Sequence, residues 1–116
     1  MPIKNRFAEL YPAIVSWRHD FHRNPELQYE LPKTAGKVAE LLRAFGCDEV
    51  VEGVGKSGVV GVICGQEDTS RRVIGLRADM DALPIDEKSG VAYKSEISGV
   101  MHACGHDGHT SMLLGA

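Results

Sequence analysis

The sequence predicts an α/β fold, a sandwich of helices on a small sheet, and three observations carry that expectation. Two early stretches hold apolar residues at helical spacing, the middle holds β-branched runs between glycine-rich turns, and a further helix is expected from about Gly108.

In the first stretch, Phe7, Leu10, Ile14, Trp17 and Phe21 recur at three- and four-residue steps, which predicts an amphipathic helix over about 6–23 with Trp17 and Phe21 in the core. Pro12 is comfortable only in a first helical turn, so the stable helix is expected to begin near Tyr11; Asn24-Pro25 ends it, because the residue before proline avoids helical angles. Arg18, His19, Asp20 and His22 read as its solvated face. After the turn region between Pro25 and Pro32, Thr34 is the expected cap of a second helix. Ala35, Val38, Leu41, Leu42 and Phe45 form its apolar side, and Gly46 stops it.

Val50–Val54 and Val59–Cys64 read as strands joined by a glycine-rich turn, and after the polar break 65–70 a third strand is expected over Arg71–Ala78. Gly53-Val54-Gly55-Lys56-Ser57-Gly58 fits G-x-G-x-x-G and contains Gly-Lys-Ser, yet a strand-like run rather than a helix follows it. A Walker loop would also need glycine where Val50 stands. A tight turn is therefore expected, not a nucleotide site.

A content of 43% hydrophobic and 25% charged residues suits one ordinary globular domain, or part of one. A formal charge of −3 with scattered basic residues gives no reason to expect nucleic acid or an anionic membrane as partner. Cys47, Cys64 and Cys104 form an odd, widely spaced set without a disulfide framework, and the N-terminus lacks an apolar leader. A cytoplasmic location is expected.

The chemistry concentrates in Gly99–Thr110, where His102, Cys104, His106, Asp107 and His109 fall within eight positions. Imidazole and thiolate are the donors of borderline-soft divalent ions, and a catalytic ion takes only some ligands from one segment. In an extended chain His102, Cys104 and His106 would project to one side, leaving Asp107 to orient an imidazole or to cap the helix that follows. Upstream, Asp79 and Asp81 follow the third expected strand, where α/β enzymes place functional groups, and Arg77 is a candidate anchor for a carboxylate. Asp86, Glu87 and Lys88 read as a solvated turn.

Three segments are specific enough to identify a resemblance. They are His22-Arg23-Asn24-Pro25-Glu26, the run Gly75–Ile85 through Arg77-Ala78-Asp79-Met80-Asp81-Ala82-Leu83-Pro84, and Gly99–Thr110 through His102-Ala103-Cys104-Gly105-His106-Asp107. In this order they resemble the N-terminal part of the metal-dependent amidohydrolase family that contains hippurate hydrolase, N-acyl-amino-acid amidohydrolases and plant auxin-conjugate hydrolases.

The resemblance implies a zinc-exopeptidase-like α/β/α catalytic domain, a mixed sheet flanked by helices. Residues 1–116 would be its incomplete N-terminal part, without the lid or dimerisation domain. It further implies two divalent ions, Zn2+, Mn2+ or similar, and cleavage of the amide of a small N-acyl amino acid, hippurate-like or N-acetylated, by a metal-activated water. On this basis Cys104 and His106 are metal ligands, and Asp79, Asp81 and Asp107 are supporting groups. The family's general-base glutamate and remaining ligands lie downstream of the ligand loop and have no counterpart in this sequence. The chain is accordingly expected to be a fragment, inactive and aggregation-prone alone, of a protein that can form a homo-oligomer. The competing readings are a non-catalytic metal-binding or interaction module and, less favoured, a hydrolase using Cys104 as nucleophile with His106 or His109.

Overall fold

The computed structural model describes residues 2–67 and 69–116; Asp68, in the polar break, lies outside them. The elements in chain order are α1 (Pro2–Arg23), α2 (Pro32–Ala44), β1 (Glu49–Val54), β2 (Gly58–Val62) and α3 (His106–Gly115). The architecture is α/β, as expected.

Helix α1 is longer than its sequence predicts, because Pro12 lies inside it rather than ahead of it. An interior proline removes one backbone bond and costs about 3 kcal/mol in a helix that has to satisfy it internally. Here Ala8, whose carbonyl loses its donor, is exposed and open to water. Burial comes in the second half of the helix, where Phe21 enters the core and the Trp17 ring meets Phe45 at 5.5 Å. Asn24 closes the helix by donating its backbone N–H and its side-chain amide to the carbonyl of Asp20.

Helix α2 starts at Pro32, two residues before the expected cap, and Leu31 at its N-cap makes no side-chain bond. Glu26 does the capping from the preceding loop. Its Oε1 accepts from the Thr34 backbone N at 2.6 Å and the Thr34 hydroxyl at 2.8 Å, and its Oε2 accepts from the Lys33 N at 3.2 Å. These are donors that the first turn of any helix leaves unpaired. At the other end Gly46 takes a φ of 83°, and the N–H groups of Gly46 and Cys47 bond back to the carbonyls of Arg43 and Leu42, which completes a Schellman stop.

Strands β1 and β2 pair antiparallel, with Val51 opposite Val60 and a bulge between Glu52 and Val54. Gly53, Gly55 and Lys56 all have positive φ in the connecting turn, so the glycine-rich loop forms the tight turn of the hairpin. Leu42 of α2 packs on Gly61, where an added Cβ would stand 3.2 Å from Leu42 Cδ1.

The third expected strand is not formed. Arg71–Ala78 joins no ladder among the described residues, Arg71 itself has a φ of 51°, and Val73 and Ile74 are 94% and 86% exposed. Its composition is that of a strand, but among the described residues the sheet holds only β1 and β2, and the run pairs with neither of their outer edges. Order resumes at Asp79–Leu83. Ala82 donates its N–H to the carbonyl of Glu26, and Leu83 and Met101 exchange backbone bonds of 2.9 and 3.0 Å. These links fix the segment between the end of α1 and the approach to α3.

Helix α3 packs on α1, and Gly115 permits the close approach: a Cβ there would sit 2.5 Å from Ile14 Cδ1. It begins at His106, after Gly105 in the left-handed region at φ 106°, rather than near Gly108. Asp107 therefore occupies the first turn instead of capping it. No described helix is long and apolar enough to cross a membrane.

Candidate metal centre

His106 and His109 are three residues apart on α3, a spacing that places both on one face, and their rings lie 5.4 Å apart. Opposite them is the pinned segment that carries Asp79 and Asp81. His106 Nδ1 lies 2.9 Å from Asp81 Oδ1, and its Nε2 faces Asp79 Oδ2 at 3.4 Å. His109 Nδ1 lies 2.8 Å from Asp79 Oδ1. The Asp79 backbone is tied to the same helix, since its carbonyl accepts from the buried Thr110 hydroxyl at 3.0 Å. The two aspartates thus converge on one helix face.

One donor atom each from Asp79, His106 and His109 falls within 4.8 Å of the others, a set that fits a divalent cation by distance and by chemistry. The hydrogen bond from His109 holds the Asp79 carboxyl below its ordinary value; burial opposes this, and His106 adds to it. Asp79 is therefore an anionic oxygen donor. Arg77 reaches the same carboxylate at 3.8 Å from a largely exposed position.

The histidine-rich loop does not present His102, Cys104 and His106 on one side. His102 is buried, Cys104 is exposed and outside the three-donor cluster, and His106 is already helical, so the alternation of an extended chain does not apply. Burial lowers the His102 pKa from its ordinary value, with Asp107 opposing, and neither ring nitrogen has a protein partner. Asp107 turns away from the cluster to face α1.

His22, expected on a solvated face, is instead only 4% exposed: its Nδ1 lies 2.8 Å from Asp107 Oδ2 and its Nε2 2.7 Å from Glu87 Oε1. Arg18 Nε donates to the same Asp107 oxygen at 3.1 Å and its Nη1 to the Tyr93 hydroxyl at 3.3 Å, while Tyr93 stacks on His19 with centroids 3.8 Å apart. Glu87, expected in a solvated turn, has a side chain 3% exposed and also accepts from the Ser89 hydroxyl and the Ser95 backbone N. Arg18 and His22 are spaced like any surface pair, so periodicity could not find them. The available signal was the segment His22–Glu26 itself, which is distinctive as a run of residues rather than as a pattern.

Residues 75–116 match the model of Peptidase family M20/M25/M40. Over 114 residues the chain is 50% identical to thermostable carboxypeptidase 2 of Saccharolobus solfataricus, which covers 97% of this chain and 28% of that protein. It is 55% identical over 97 residues to the hippurate hydrolase of Campylobacter jejuni, covering 84% of this chain and 24% of that protein. The crystal structure of a dinuclear metal-binding peptidase of the M20 family from Bacillus subtilis superposes with a TM-score of 0.84 at 36% identity, over 92% of this chain and 30% of that one. The chain spans less than a third of the length of these relatives.

Proposed function

We infer, from the match of residues 75–116 to the model of Peptidase family M20/M25/M40 and from the 50% identity to a carboxypeptidase, that residues 1–116 build the N-terminal part of the catalytic domain of a metal-dependent hydrolase. Its substrate would be an N-acyl amino acid, cleaved at the amide. The observation that carries this reading is the orientation of His106: Asp81 holds one ring nitrogen, so the other is directed at Asp79 Oδ2. A carboxylate behind an imidazole is the usual way a protein fixes the tautomer and aim of a metal ligand.

In this reading His106, Asp79 and His109 supply donors to a divalent ion. Cys104, on the exposed turn just before α3, is a further soft donor, as the resemblance to the amidohydrolases implies. Zn2+ and Mn2+ both suit such a mixed donor set. A bound divalent ion supplies Lewis acidity to the scissile carbonyl and the attacking water. The protein's own residues orient the donors and keep Asp79 ionised. Hippurate is an acylated glycine and a carboxypeptidase cuts next to a free carboxylate, so both relatives' names support an amide whose amine side bears a carboxylate. The three free cysteines support a cytoplasmic location.

Both carboxylates at the cluster, Asp79 and Asp81, are engaged by histidines, so turnover needs a proton carrier from outside residues 1–116, and that need separates the enzyme from the second reading, a metal-binding module without turnover. Chelator-stripped protein should be titrated with Zn2+, Mn2+ and Co2+ and assayed on a panel of N-acyl amino acids. The expected result is metal uptake and metal-restored hydrolysis in the intact protein carrying these residues, with both lost in His106→Ala and turnover lost in Cys104→Ala. Metal uptake without hydrolysis by that intact protein selects the module, and wild-type turnover in both variants removes the ligand assignment.

A further inference from the structure

We propose that Arg18, His22 and Glu87 form a hydrogen-bonded brace, buried at His22 and Glu87, that positions Asp107 and thereby sets His106 and His109 against Asp79. The proposal rests on the reading of that cluster as a metal centre, and it assigns a role to α1 and to the loop around residue 87 that the centre itself does not need for ligation.

The brace is defined by its hydrogen bonds. Arg18 and His22, four apart on α1, both bond to Asp107 Oδ2, and His22 also bonds to Glu87. The His22 ring thus bridges the two carboxyl groups, one at each ring nitrogen. His22, Asp107 and the Glu87 side chain are 4%, 1% and 3% exposed, and Arg18 reaches Asp107 from a half-buried position. A buried ion group of this kind adds little net stability, but losing one member strands the others, so it specifies one geometry strongly.

That geometry is what α3 otherwise lacks. The helix has ten residues, and Gly105 at its N-cap provides no side-chain bond. Its first turn is held instead through Asp107, which lies between the two cluster histidines. The Asp107 carbonyl also accepts from the buried Ser111 hydroxyl at 2.7 Å, on the same side of the helix. Rotation of α3 about its axis would move Asp107 out of the brace and both histidines away from Asp79 together.

The test uses the intact protein carrying these residues, with 15N-labelled histidine and stripped of metal, and then a Co2+ titration. His22→Gln removes the ring that bridges the two carboxyl groups, and Glu87→Gln keeps the shape and removes a charge. Arg18→Lys is a milder variant that keeps the charge but loses the Nε donor. Glu26→Gln, which weakens the α2 cap, serves as a control for general destabilisation. The expected result is that His22→Gln and Glu87→Gln shift the ring 15N resonances of His106 and His109 in metal-free protein and weaken Co2+ binding about 10- to 100-fold. Arg18→Lys should do so to a smaller extent, and Glu26→Gln should leave both readouts unchanged. Unchanged resonances and affinity in the brace variants, or equal changes in Glu26→Gln, overturn the proposal. If the unaltered intact protein takes up no Co2+, the metal-centre reading fails, while the metal-free resonances still decide the brace.

Discussion

His106 Nδ1 sits 2.9 Å from Asp81 Oδ1, and this one bond determines which atom of His106 faces Asp79. Asp81→Asn replaces an obligate acceptor with an amide that can present either a donor or an acceptor, so the ring loses its fixed tautomer. Metal affinity is expected to fall about 10- to 100-fold with little change in folding, as measured by competition with a chromophoric chelator and by circular dichroism.

Glu26 acts on stability rather than on the centre. It satisfies donors in the first turn of α2, and one of its partners, Thr34, is buried. Glu26→Ala leaves those donors without a protein acceptor and should cost about 1–2 kcal/mol in chemical denaturation. Replacement of Thr34 by Val, which removes the hydroxyl but keeps the backbone bond, should cost less.

These two residues mark what could be read from the sequence. The α2 stop at Gly46 and the β1–β2 hairpin are local matters of glycine conformation and β-branched runs, and they appear as expected. The α2 cap was assigned to Thr34 by proximity, whereas the acceptor comes from eight residues earlier, through a loop that no helical pattern describes. The burial of His22 and Glu87 depends on each other across 65 residues, and a charged residue that finds a distant counter-charge looks in sequence like one that finds water. The strand expected at Arg71–Ala78 failed for the opposite reason: its composition is right, but strand structure requires a neighbour.

Acid should weaken the fold through Glu87. Burial pushes its carboxyl up, but bonds from Ser89, Ser95 and His22 outweigh this and leave it below the ordinary 4.5. A carboxyl with a lowered folded value contributes stability that is complete above 4.5 and is lost as pH falls through the folded value beneath it. Asp107 acts in the same direction from 3.8: burial raises it, and His22, His102, the Gly108 N–H and Arg18 lower it further. In urea midpoints measured between about pH 3 and 7, Glu87→Gln should flatten the acid limb relative to the unaltered chain.

The exposed run Val73-Ile74-Gly75-Leu76 should make the isolated chain self-associate, since an apolar segment of strand composition without a ladder is a template for pairing. Ile74→Lys should reduce the fraction of large species in light scattering and analytical ultracentrifugation without changing helix content. Equal association in the variant would place the contact elsewhere.

The bonds from Arg18 and His22 to Asp107 join positions 89 and 85 residues apart. Closing so long a loop is an entropic cost that must be met before the bonds can form, and contacts of such separation form slowly. On a ribosome, α1 would emerge well ahead of α3 and wait, its histidine and arginine hydrated, until Asp107 arrives. The cluster on α3 is thus set only once α1 and α3 dock, and a chain stalled before that step would keep its hairpin while the cluster stayed unformed.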